Sequence, residues 1–145
     1  MKNMNSKLIH EEKNYAILGA CFEVFNEKGC GFNEPVYQEC LELELALRNV
    51  PFFAQPELKL AYKARPLKST FRPDFICFGN IILEIKAVSA LVDAHEAQVL
   101  SYLNASGHEL GLLVNFSSYP KVEYKRIIFS EKRRIQPVTL TDISL

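Results

Sequence analysis

Apolar positions change their spacing twice along the chain, and each change marks a new kind of element. From about Leu8 to Lys28, Tyr15, Ile17, Leu18, Cys21, Phe22, Val24 and Phe25 recur at helical spacing, and Gly29 to Gly31 closes the segment. A second helix is predicted from Asn33, a good capping residue, with Glu34 and Pro35 in its first turn. Its apolar positions are Val36, Tyr37, Cys40, Leu41, Leu43, Leu45 and Leu47, and it ends near Asn49, before Pro51. The period then becomes two: Leu58, Leu60 and Tyr62 alternate with Lys59, Ala61 and Lys63, the pattern of a strand with one wet face. Two more strands are predicted over 70–77 and 81–87, turning around Gly79-Asn80. A third helix runs from Asp93, as N-cap, to Ser106, with Gly107 closing it. Strands over 110–116 and 122–129 follow, the first nearly all apolar and therefore central.

The order is helix, helix, three strands, helix, two strands. That order predicts an α/β fold with a mixed sheet flanked by helices. The step from Ile81 to Phe116 is a right-handed crossover between parallel strands. No repeat or linker interrupts the pattern, so residues 1–145 are expected to form one domain.

Composition adds exclusions. The chain is 48% hydrophobic and 23% charged, which is ordinary for a globular protein and excludes a disordered tail or a coiled-coil rod. Its 17 basic and 17 acidic side chains cancel, so any nucleic-acid contact must use a local patch. No apolar run reaches the ~20 residues of a membrane span, and the first residues hold no apolar signal core, so no membrane partner and a cytoplasmic location are expected. Cys21, Cys30, Cys40 and Cys77 show no paired spacing and read as free thiols.

Candidate chemistry begins at Arg72-Pro73-Asp74-Phe75 and continues at Glu84-Ile85-Lys86. Glu84 and Lys86 share one face of a strand, while Ile81, Leu83 and Ile85 share the other. Charged groups inside a sheet are costly unless paired or bound to something. A two-residue turn at Gly79-Asn80 would send Asp74 away from Glu84. A three-residue loop, Phe78-Gly79-Asn80, or an equivalent bulge, would oppose the two carboxylates across the ladder. Such a pair repels unless a cation lies between, and hard oxygen donors suit Mg²⁺. The spacing alone is also met by a surface hairpin whose Glu84 and Lys86 are solvated and whose Asp74 caps a turn. In the third helix His95, Gln98 and Tyr102 form one stripe, with Ala94, Ala97, Leu100, Ser101 and Leu103 on the packing side. Glu34 and Tyr37 lie three apart at the start of the second helix.

Pro73-Asp74, Glu84-Ile85-Lys86 and the spacing Gln98-x-x-x-Tyr102, in that order, resemble the PD-(D/E)XK nuclease superfamily, and within it the RecB-like nucleases. Gly31-Phe32-Asn33-Glu34-Pro35-Val36-Tyr37 resembles the motif that names the GxxExxY protein family, and the likeness runs from about residue 16 to 129. It implies a restriction-endonuclease-like αβββαβ core preceded by an extra helix. The resemblance further implies that Asp74 and Glu84 hold Mg²⁺, or Mn²⁺ in its place, with the Ile85 carbonyl and Glu34 as further ligands. Lys86 would position or activate water, and Gln98 and Tyr102 would orient the site and contact substrate. No role is assigned to His95, Asn115 or Arg126. An iron–sulfur cluster is not expected, since three of the four cysteines fall on or beside the two N-terminal helices.

The implied activity is that of a Mg²⁺-dependent deoxyribonuclease using metal-activated water. The alternative is a non-catalytic module of the same fold that binds nucleic acid or protein. DNA is the expected partner, with a second copy of the chain or another protein supplying specificity. Two basic runs, Lys59, Lys63, Arg65, Lys68 and Arg72, then Lys121, Lys125, Arg126, Lys132, Arg133 and Arg134, are candidate phosphate margins or ordinary solvated faces.

Overall fold

The computed structural model describes residues 2–130, with side chains from position 10 onward. Helix α1 (Lys2–Lys28) starts earlier than its apolar pattern. Its buried stripe is Ile17, Ala20, Cys21 and Val24, while Tyr15 and Phe22 on other faces are exposed. Helix α2 (Glu34–Leu47) packs on α1 and buries Tyr37, Leu41 and Leu45, each one turn from the next. Leu43 and Leu47 point outward. Asn33 is the N-cap residue but its side chain makes no capping bond.

The strands are β1 (Phe52–Ala54), β2 (Leu58–Tyr62), β3 (Arg65–Phe71), β4 (Phe75–Cys77), β5 (Ile81–Lys86), β6 (Leu110–Asn115) and β7 (Glu123–Ile128), with helix α3 (Asp93–Ser106) between β5 and β6. Five of them make one mixed sheet in the order β1-β4-β5-β6-β7, while β2 and β3 pair separately. Strands β5 and β6 are parallel and joined through α3, as the crossover requires. Every residue of β6 is buried: it is an interior strand between β5 and β7 and is covered on both faces.

The structure corrects the sequence reading at several points. The single strand over 70–77 is two strands in two different sheets, β3 and β4. Proline at 73 has no amide hydrogen for a ladder, and the chain changes sheets there. Strand β1 escaped the pattern because three residues cannot display a period. At the head of α3 the N-cap is Val92, which makes Asp93 the first helical residue. His95 supplies the cap instead: its backbone amide donates to the Val92 carbonyl, and its Nδ1 accepts the Val92 amide, each at 3.0 Å.

Two apolar layers sandwich the sheet. One gathers α1, α2 and Ile81, Leu83 and Ile85 of β5; the other gathers Ile82, Leu113 and Ile127 with Val99 and Leu103 of α3. The packing side of α3 is therefore Val99 and Leu103, next to the Gln98 and Tyr102 stripe. Ala94, Ala97 and Ser101, expected to pack, are exposed. Among the described residues no helix is long and apolar enough to cross a membrane.

Candidate active site

The hairpin between β4 and β5 decides the geometry. Cys77 pairs with Ile81 and Phe75 with Leu83, so Phe78, Gly79 and Asn80 form the connecting loop. Phe78 and Gly79 both take left-handed backbone angles, φ 55° and 75°, a conformation that glycine adopts freely and phenylalanine rarely. One step beyond the paired residues, Asp74 lies opposite Glu84. Its amide donates to Glu84 Oε1 at 2.7 Å, and the Ile85 amide donates to Asp74 Oδ2 at 2.8 Å.

These two carboxyl groups are held together in a largely dry place. Burial, then the neighbouring Asp74 carboxylate, pushes Glu84 up to about 8. Asp74 is also raised by burial, although the Ile85 amide, the Lys86 ammonium and the bond with Glu84 pull the other way. Glu84 therefore keeps its proton at neutral pH, because two adjacent buried anions would lack counter-charge. A dication would supply that charge, and hard carboxylate oxygens fit Mg²⁺ or Mn²⁺ better than a soft metal.

Lys86, two residues on, points to the same face and continues the array. Its Nζ donates to Gln98 Oε1 at 2.9 Å, and Gln98 Nε2 donates to the Tyr102 hydroxyl at 3.1 Å. The amide's orientation follows from its partners, an ammonium on one side and a phenol oxygen on the other. Since that phenol oxygen accepts from Gln98, its own proton is left to donate elsewhere. Burial first, then Glu84, raises the Tyr102 hydroxyl above its ordinary value, so it stays protonated. The Tyr102 ring leans on Phe71 at the end of β3, 5.0 Å between centroids.

Glu34 approaches from α2. Burial raises its carboxyl, Asp74 raises it further, and Lys86 and His95 lower it, so its charge is felt by the same array. A cleft of about 350 Å³ between them is lined by Glu34, Pro35, Gln38, Glu39, Gln55 and Asp74. Among the described residues no three His, Cys, Asp or Glu side chains gather as a metal-holding cluster. The acidic donors actually drawn together are Asp74 and Glu84.

The comparisons can now be set beside this geometry. A sequence profile of the PD-(D/E)XK nuclease superfamily matches residues 11–127. The chain belongs to the PD-(D/E)XK nuclease superfamily. Nucleases of this superfamily generally use divalent metal ions. No curated protein matches the chain significantly. The crystal structure of SSO0001 is similar in fold, with a TM-score of 0.52 and 20% identity over 65% of this chain and 50% of that one. At that identity the likeness is one of fold alone, and this chain covers half the length of that protein.

Around the candidate site, Gln38 gave no readable signal in the sequence, and the tasks of Tyr37 and Asn115 could not be read from it. Tyr37 does not join the acidic array. Its hydroxyl donates to the Gly29 carbonyl at 2.5 Å and accepts the Phe32 amide at 3.2 Å, and its ring stacks on Phe116 at 4.6 Å. It thereby fixes the turn that launches Glu34. Gln38 Nε2 reaches the Asp74 carbonyl at 3.4 Å, tying α2 to the start of β4. Asn115, fully buried, accepts from the Val88 and Ser117 amides and donates to the Val88 carbonyl and Glu123. Glu123 also accepts the Leu91 amide, so β6 and β7 together hold the loop between Lys86 and α3. Lys125, from the second basic run, is paired with Glu96 at 3.2 Å; Lys132, Arg133 and Arg134 lie outside the described residues. Cys21, Cys30, Cys40 and Cys77 are free thiols, and burial pushes Cys77 up to about 12, so it stays protonated.

Proposed function

We propose that this chain is a metal-dependent deoxyribonuclease that hydrolyses phosphodiester bonds with water. The observation that carries the reading is the opposed Asp74 and Glu84 pair, both raised by burial, with Lys86 on the same face. In it Asp74 and Glu84 hold Mg²⁺, or Mn²⁺ in its place, with the Ile85 carbonyl and Glu34 as further ligands. When bound, the ion would lower the pKa of water and offset charge on the phosphoryl oxygens. Glu84 must give up its proton to serve as a ligand, so occupancy of the pair rises with pH. The Lys86 ammonium, steadied by Gln98, orients the attacking water and adds positive charge where the transition state accumulates negative charge. Tyr102 offers its hydroxyl proton to a phosphate oxygen, and Gln98 holds both neighbours in place.

Cleavage of linear DNA in Mg²⁺ and Mn²⁺, with EDTA as the blank, tests the reading. Asp74→Asn is expected to lower the rate by roughly 10³-fold, and Lys86→Ala by about 10²–10³-fold. Cleavage that persists in both variants would refute the assignment. Retained DNA binding with no cleavage in wild type would favour the non-catalytic module.

A further inference from the structure

Strands β2 and β3 stand apart from the main sheet as a two-stranded ribbon. An isolated pair of strands is marginally stable in water, so a ribbon of this kind needs anchoring. Its base provides it. Leu58 packs into the α3 layer, its partner Phe71 is buried, and Phe71 meets the Tyr102 ring. The Arg72 guanidinium joins Glu57 and also donates to the Gln55 carbonyl, clasping the two ends of the ribbon. Two residues later comes Asp74. The rest of β3 is exposed from Arg65 to Thr70.

The faces of this ribbon differ. Leu58 pairs with Phe71 and Tyr62 with Arg65, so one face carries Leu58, Tyr62, Arg65 and Phe71. Lys59 pairs with Thr70 and Ala61 with Pro66, which puts Lys59 on the opposite face; the register shifts between Lys59 and Ala61, and the exposed Lys68 lies in the bulged stretch of β3 between Pro66 and Thr70. Lys63 lies in the turn at the tip. No acidic residue occurs anywhere from Leu58 to Phe71, whereas α2, on the far side of the sheet, carries Glu34, Glu39, Glu42 and Glu44. In a chain of zero net charge this segregation aims phosphate toward the ribbon and away from α2.

We infer that the substrate is double-stranded DNA and that the β2–β3 ribbon lies along its major groove, its lysines against the phosphates. This rests on the nuclease reading and names the form of its substrate. B-DNA's major groove, about 12 Å wide, admits a two-stranded ribbon. The corresponding groove of an RNA duplex is too narrow and deep for one. A single strand is held by stacking bases on exposed aromatic rings. Phe71 is buried at the base, and the ribbon's exposed ring, Tyr62, carries the Lys63 ammonium 5.5 Å from its centroid. Lysine, alanine, proline and threonine in this arrangement contact backbone rather than base edges, so binding is indifferent to sequence. The seven residues of β3 reach about 23 Å from the site, or roughly seven base pairs.

Fluorescence anisotropy in EDTA tests this, using labelled duplex DNA of about 20 base pairs, the matching single strand and an RNA duplex. Wild type binds the DNA duplex at least about tenfold more tightly than either alternative. The variant Lys59→Ala/Lys63→Ala/Lys68→Ala keeps the wild-type melting temperature and loses about two to three from the slope of log affinity against log salt. An unchanged slope overturns the inference, as does equal affinity for the three nucleic acids. Competition by poly-glutamate at the affinity of the duplex overturns it too, and marks the ribbon as a site for acidic protein. Wild-type hydrolysis of a small phosphodiester, too short to touch the ribbon, reports separately on the nuclease reading. Lysine-dependent duplex binding without that hydrolysis leaves the ribbon assignment standing and the nuclease refuted.

Discussion

Glu84 is 3% exposed and faces another carboxyl group, with no cation among its described neighbours except Lys86 further along the strand. Its folded-state value of about 8 lies above the ordinary 4.5. For an acid raised in this way, stability is fully present below about 4.5 and is lost as pH climbs through 8. The metal-free protein is therefore expected to weaken between those limits. Glu84→Gln, which cannot ionise, should match wild type near pH 4.5 and exceed it by about 2 kcal/mol above pH 8. Thermal melts in EDTA across that range check this; a variant less stable than wild type at pH 8.5 would contradict it. The pair itself was legible because a period of two and an odd loop translate directly into facing side chains. Tyr37, Gln38 and Asn115 act on backbone groups brought near by turns, whose paths no periodicity encodes. His95 was visible on its stripe, but its task depends on the N-cap being Val92 rather than Asp93.

At the scale of elements, the site's accuracy depends on how closely α3 lies on the sheet. Gly111 in β6 sets that distance: a Cβ there would come within 2.5 Å of Val99 Cγ1. Gly111→Ala is expected to destabilise the fold by roughly 1–3 kcal/mol by pushing α3 outward. Val99→Ala in the same chain should recover part of the loss by making room. Urea titrations of both variants decide it, and a fully stable Gly111→Ala protein would contradict the packing described. The central pair β5 and β6 and the helix between them could be read from the sequence, because long apolar runs and a glycine stop are strong signals. The change of sheets around Pro73 was hidden because the apolar alternation continues across it. Leu67, Phe71, Phe75 and Cys77 keep an odd-numbered register while the chain leaves one sheet and enters another.

Seen whole, the molecule concentrates its chemistry where three parts meet: the β4–β5 hairpin, the exposed flank of α3 and the N-terminus of α2. Acid from α2 and base from the β2–β3 ribbon approach this junction from different sides, so a chain of zero net charge keeps its basic segment apart from its acidic helix. Membership of the PD-(D/E)XK nuclease superfamily could be recognised from short motifs because each falls on an element whose geometry the motif needs. The ribbon's separation from the sheet could not, since its strands look like any others with one wet face. The central claim is that Asp74 and Glu84 share a dication. Calorimetric titration of Mn²⁺ into the metal-free protein at pH 7 tests it most directly. Binding with proton release from Glu84, abolished in Asp74→Asn and in Glu84→Gln, is the predicted result. Absence of binding in wild type, or binding undiminished in both variants, would contradict it.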